Sequence, residues 1–200
     1  MENYENILNM LTVAQDLRRL GRIEIFDNRP SLSDLIGMAE GFGLKTSHYY
    51  INDRTDLLFS KDEEILEKAK DLHLNATEPV ESNRTLGGFY DYPECCVQYF
   101  IDNLQHKLEE KKKNKNYDLM QETILGVKGD ELPYWLNTFP GGNKFFFHLT
   151  CSYEGCKKTR EIAERNSELM KKYDLAAWEK MRGGNLTTLK LEDGREIRFV

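Results

Sequence analysis

The chain has 200 residues, 40 % of them hydrophobic and 31 % charged, with a formal net charge of −6 at neutral pH. A length of this order buries roughly 70 % of the unfolded surface, enough for one substantial domain or a domain with an appendage. The acidic balance argues against a general affinity for nucleic acid or anionic membrane, and no apolar run approaches the ~18 residues of a membrane span.

Ile7, Met10, Leu11, Ala14 and Leu17 recur at helical spacing, with Gly21 placed as a C-terminal stop. "RIEIF" (22–26) alternates as a short strand. A helix over "SLSDLIGMAEGFG" (31–43) opens on a serine cap, Ser31 or Ser33, carries Leu35, Ile36 and Met38, and stops at glycine. "KTSHYYIND" (45–53) and "DLLFS" (56–60) read as two strands about a polar turn. "KDEEILEKAKDLHL" (61–74) is a helix with acids in its first turn and Ile65, Leu66, Ala69 and Leu72 inward. Residues 75–91 hold a proline, a glycine pair and many polar side chains, and are expected as a long loop.

A helix follows from about Pro93 to Lys113, on the stripe Val97, Ile101, Leu104 and Leu108. The lysine-rich "KLEEKKKNKN" (107–116) reads as its solvated end rather than a nucleic-acid patch. A short helix is expected in "YDLMQETILG" (117–126), and "ELPYWLNTFPGGN" (131–143) is turn-rich and aromatic. "KFFFHLTC" (144–151) reads as a strand covered on both faces. Residues 155–181 are helical with a bend near Asp174, and 185–200 form a hairpin turning at Asp193-Gly194. Helices and strands mix without a regular strand–helix–strand rhythm. The fold class is therefore α+β, with short antiparallel strands and a C-terminal β-hairpin. Residues 1–74 read as an N-terminal α/β subdomain and 75–200 as a cysteine-motif domain, or the two as one compact domain.

The four cysteines fall in two groups: Cys95 and Cys96 in "YPECC", and Cys151 and Cys156 behind His148 in "HLTCSYEGC". The start "MENYENILNM" lacks a secretory signal, so the expected setting is the cytoplasm. There, neighbouring thiols more often serve metal or redox chemistry than disulfides. Pro93 suits the first turn of a helix, where the free N–H groups and the dipole stabilise a thiolate. Neighbours on a helix diverge by about 100°. Cys95 and Cys96 are therefore expected not to converge on one ion, with Cys96 the inward ligand and Cys95 without an assigned purpose.

Cys156 shares a helix face with Ala163 and Met170. His148 and Cys151 have opposite parity in a strand, so they converge only if the strand breaks near Leu149 or Thr150. Thiolates with an imidazole suit Zn²⁺ or an iron–sulfur cluster, which makes Cys95, Cys96, His148, Cys151 and Cys156 the candidate metal ligands. Neither spacing is a zinc-finger or ferredoxin pattern.

Two alternatives stand beside the metal site. One is a thiol-based redox enzyme, with Cys95 or Cys96 as nucleophile and Cys151 or Cys156 resolving it. The other is a non-catalytic interaction module using the N-terminal helices or the hairpin edge. Asp91 and Glu94 lie beside the cysteines and read as helix-start acids ahead of acid–base groups. Tyr134, Trp135 and Phe139 read as core, and His48, His73 and His106 have no partner in sequence.

"LGGFYDYPECCVQYF" (86–100) followed by "HLTCSYEGCKKTREIA" (148–163) resembles an uncharacterised archaeal domain-of-unknown-function family with a Tyr-Pro-x-Cys-Cys, His-x-x-Cys and Cys signature. Tyr92, Pro93, Cys95, Cys96 and Phe100 match its first part. His148, Cys151, Cys156, Thr159 and Ala163 match its second. Asp91 stands where that pattern has glycine, and is expected to cap the helix instead. The resemblance covers about residues 86–165 and implies kinship. It carries no activity, cofactor or reaction.

Overall fold

The structure is a computed structural model that describes residues 4–26, 30–51, 53–112, 126–136, 145, 147–148, 150–152, 154–183, 188–191 and 194–200. The architecture is α+β, and the chain divides into two compact units, residues 1–97 and 98–200. Among the described residues no helix is long and apolar enough to cross a membrane.

The first unit runs α1 (Tyr4–Ala14), β1 (Gly21–Phe26), α2 (Leu32–Gly41), β2 (Lys45–Ile51), β3 (Arg54–Ser60), α3 (Glu63–Asn75) and α4 (Pro79–Phe89), then opens α5 (Glu94–Lys112). Its sheet is antiparallel in the order β1-β3-β2, with Ile23 opposite Leu57 and His48 opposite the same residue from the other side. The middle strand is buried from Asp56 to Ser60. Alternation along it sends Leu57 and Phe59 to a core with Met10, Val13, Leu35 and Ala39, and Leu58 to a second core with Leu66, Ala69, Leu86 and Tyr90. The caps follow the sequence: Ser31 accepts from the Asp34 amide, and Asp62 accepts from Glu64 and Ile65.

Two expectations fail here. Gly21 is not a helix stop; it opens β1, where a Cβ would collide with the ring of the fully buried Phe59. Helix α1 closes earlier, with Asp16 in the left-handed region at φ 55° and the Leu17 amide donating back to the Thr12 carbonyl. Residues 75–91 are not a loop but largely helix α4. Pro79 sits in its first turn, where its missing N–H costs nothing. Gly87 lies inside it because Val97 packs there: a Cβ would meet Val97 Cγ2 at 2.5 Å. Asp91, just beyond, has φ 53°, in the left-handed region that a side chain rarely adopts. Its carboxylate accepts from the Arg19 amide at 2.8 Å.

One end of the sheet carries an unexpected polar cluster. Glu24, Asp56 and Tyr49 form a row across the strands. Asp56 is 1 % exposed and accepts from Tyr49 Oη at 3.0 Å and Arg54 Nε at 2.8 Å, with Arg22 Nη1 at 3.7 Å. His73 stacks on Tyr49 with ring centroids 5.5 Å apart, and its Nε2 lies 3.0 Å from Tyr90 Oη. Burial, with Arg22 adding to it, pulls the His73 imidazole down to about 4. The unfolded chain therefore binds a proton that the folded chain refuses between about pH 6.5 and 4. Stability contributed by a neutral His73 is complete above that window and is lost as pH falls through it. The shift sets an upper limit of about 3 kcal/mol on the effect. Urea midpoints at pH 7 and pH 4 should differ less in His73→Gln than in the wild type; equal differences would refute the assignment.

The second unit holds the remainder of α5, β4 (Glu131–Leu132), a 3₁₀ turn at Tyr134–Leu136, α6 (Lys157–Tyr173), α7 (Leu175–Gly183), β5 (Thr188–Lys190) and β6 (Glu196–Phe199). The hairpin forms as expected, with Leu189 opposite Ile197, and β4 adds parallel to β6. Gly194 takes φ 88° at the turn, while Asp193 lies outside the described residues. The bend near Asp174 is a break: the carboxylate accepts from the Ala177 amide at 2.9 Å and so caps α7. Tyr134 is half-buried, edge-on to Phe145 and Trp178, with both its hydroxyl and the Trp178 indole bonded to Ser167 Oγ at 2.9 Å.

The strand expected over 144–151 is absent among its described residues. The Phe145 carbonyl accepts from Asn166 Nδ2 at 2.8 Å, and the Thr150 hydroxyl donates to the Ser152 carbonyl at 2.9 Å. Side chains take up bonds that a sheet ladder would need. The helix expected over 117–126, apart from Gly126, lies outside the described residues. Phe139 and the side chains of Trp135, His106 and Leu108 lie outside them too.

Candidate metal centre

Helix α5 starts directly after Pro93, whose carbonyl accepts from the amides of Cys96 (2.8 Å) and Val97 (3.0 Å). Val97 rests on the bare backbone of Gly87, which fixes how the first turn sits against α4. Cys96 is thereby buried at 2 % exposure, and Cys95 is exposed. Both stand in the first turn of the helix, at the positive end of its dipole.

The second pair is held by a run of tight turns. Ser152 Oγ accepts from the Gly155 amide at 2.8 Å, and the Ser152 carbonyl accepts from the Cys156 amide at 3.3 Å. Glu154 pins the outer side of the turn, accepting from the amides of Lys128 (2.9 Å) and Gly129 (2.8 Å). Cys156 occupies the N-cap position of α6, and its side chain makes no capping bond there. Cys151 is partly exposed and Cys156 buried at 4 %.

The sulfurs of Cys95, Cys96, Cys151 and Cys156 all lie within 4.8 Å of one another. Tetrahedral bonds of about 2.3 Å to one ion place thiolate sulfurs about 3.8 Å apart, so the group has the size of a single-ion site. Cys95 Sγ and Cys96 Sγ are 4.0 Å apart, which overturns the expectation that helix geometry keeps them from one ion. The 100° step describes the Cα–Cβ directions. The sulfur lies one rotatable bond further out, so a rotation about χ1 can bring it back toward its neighbour. No disulfide joins any of the four.

His148, expected among the ligands, stands outside the sulfur group. Its Nε2 is 2.9 Å from Thr159 Oγ1, and Thr159 in turn donates to Cys156 Sγ at 3.1 Å. The sequence alone assigns no chemical role to Thr159; the available signal is a hydroxyl three residues after Cys156, on the same face of a helix. Asp91 turns to Arg19, and Glu94 sits in the first turn of α5. Four soft sulfur donors suit zinc or iron rather than magnesium or calcium. The group is therefore able to hold a metal ion.

Comparison of the chain with protein-family models, curated proteins and solved structures finds no match in any of the three.

Proposed function

We propose that the protein is a metal-binding protein with a mononuclear four-thiolate centre. Its ligands are Cys95, Cys96, Cys151 and Cys156, and its resident ion is zinc. The mutual spacing of the four sulfurs carries this reading. An iron–sulfur cluster spreads its thiolates over several irons and calls for a wider set, so the spacing favours one ion. Four protein ligands close the coordination shell and leave no position for a substrate or an activated water. The role this supports is structural, with the free energy of metal binding adding to that of folding. A reducing cytoplasm, where these thiols stay available, and kinship with the archaeal family of the same cysteine signature belong to the same proposal.

The test is metal analysis of protein purified without oxygen. We expect one zinc per chain, lost in Cys151→Ser. Protein that takes up no zinc, with thiols that react rapidly at neutral pH, would replace this reading with the thiol redox one. A brown chromophore with several irons per chain would replace zinc with a cluster.

A further inference from the structure

We propose that Thr159 is the positioning residue of this centre, donating its hydroxyl proton to the Cys156 sulfur, and that His148 sets the direction of that donation. The inference rests on the four-thiolate centre proposed above. Thr159 Oγ1 lies 3.1 Å from Cys156 Sγ, 2.9 Å from His148 Nε2 and 3.3 Å from Thr150 Oγ1. The hydroxyl has one proton to give and two lone pairs.

Thr150 does not call on that proton, because its own hydroxyl donates to the Ser152 carbonyl at 2.9 Å and its oxygen accepts from the Ser152 amide at 3.3 Å. A metal-bound thiolate only accepts. The bonds then run in one direction: His148 Nε2–H donates to Thr159, and Thr159 O–H donates to Cys156. His148 is thereby held as the tautomer protonated on Nε2. It acts through a hydroxyl rather than as a ligand, which accounts for a histidine three residues before Cys151 that stays out of the sulfur group.

Thr159 and Thr150 are both 1 % exposed, so water does not compete for these bonds. A hydrogen bond to a coordinating thiolate withdraws charge from the sulfur, lowers its basicity and fixes its orientation. Loss of the donor leaves the Cys156 sulfur less firmly oriented as a ligand. Partners of this kind are worth about 10- to 100-fold in metal affinity.

The experiment titrates full-length protein with Zn²⁺ against a chromophoric chelator, and records the Co²⁺-substituted spectrum. Thr159→Val keeps the shape and removes the hydroxyl; it should bind Zn²⁺ about 10-fold more weakly and shift the sulfur-to-cobalt charge-transfer band. Thr159→Ser should restore both, which a purely packing role would not produce. If Thr159→Val does not fold, His148→Leu decides, with an expected weakening in the same direction and a shift of the same band. A wild type that binds Zn²⁺ while Thr159→Val and His148→Leu bind it equally well, with the band unmoved, overturns the role of Thr159 and leaves the centre standing. A wild type that binds no Zn²⁺ overturns the centre itself.

Discussion

Cys156→Ser is expected to abolish tight zinc binding and to lower the thermal midpoint by roughly 10 °C, more than Cys95→Ser does. A protein holding its ion about 1,000-fold above the dissociation constant gains about 4 kcal/mol of stability from it. For a chain of this size about 1 kcal/mol moves the midpoint by 2–4 °C, which sets the scale of the shift. The two cysteines differ in surroundings. Cys156 is buried and bonded by Thr159, so no solvent reaches the position its sulfur vacates. Cys95 is exposed, and water can take its place on the metal. Calorimetry with and without a strong chelator separates the metal effect from the packing effect of each substitution. Chelator should bring the wild type down toward the Cys156→Ser midpoint and leave that variant where it is. A wild type whose midpoint ignores the chelator would refute a structural metal.

The elements legible in the sequence are those with an unbroken period. β1, β2 and β3 follow short runs bounded by turn residues, and α3 follows Ile65, Leu66, Ala69 and Leu72, all turned to one core. The cysteine set is readable because all four thiols stand at or just before helix starts in two short segments. What escapes depends on contacts between segments far apart in the chain. Whether the Cys95 sulfur turns toward that of Cys96 is a choice of rotamer, and no periodicity records it. His148 looks like a ligand because imidazole is one of zinc's usual donors. Its Nε2 lies beside Thr159 Oγ1, and the two meet only once the chain between them has turned at Ser152 and Gly155. Glycine misleads for the opposite reason. Gly21 and Gly87 read as breakers, yet each marks a place where another side chain presses on the backbone, Phe59 in one case and Val97 in the other.

Gly87 ties that lesson to the cysteine cluster. An alanine in the middle of a helix ordinarily stabilises it by about 1 kcal/mol over glycine. Gly88, with nothing within 4 Å of where an alanine Cβ would stand, should follow that rule. Gly87 should break it, since its added methyl would lie 2.5 Å from Val97 Cγ2 and 3.0 Å from Cγ1. Valine is stiff at χ1, so the collision is relieved by moving the backbone of α5 rather than the side chain. We expect Gly87→Ala to cost about 1–3 kcal/mol, the range for overpacking. Val97 adjoins Cys96, so the displaced turn also carries both α5 sulfurs away from their present spacing, and zinc affinity should fall with stability.

Val97→Ala removes the two methyl groups that collide, at the expense of a small void. In the double variant the methyl introduced by Gly87→Ala enters that void. The double should therefore be more stable than the sum of the single effects by about 1 kcal/mol or more, and should recover zinc affinity. Urea unfolding of Gly88→Ala, Gly87→Ala, Val97→Ala and the double, each paired with a zinc titration, gives the full cycle. If Gly87→Ala proves as harmless as Gly88→Ala, the close packing of α4 on the first turn of α5 is wrong. If stability falls and zinc affinity does not, the packing stands, but it does not set where the two α5 sulfurs lie.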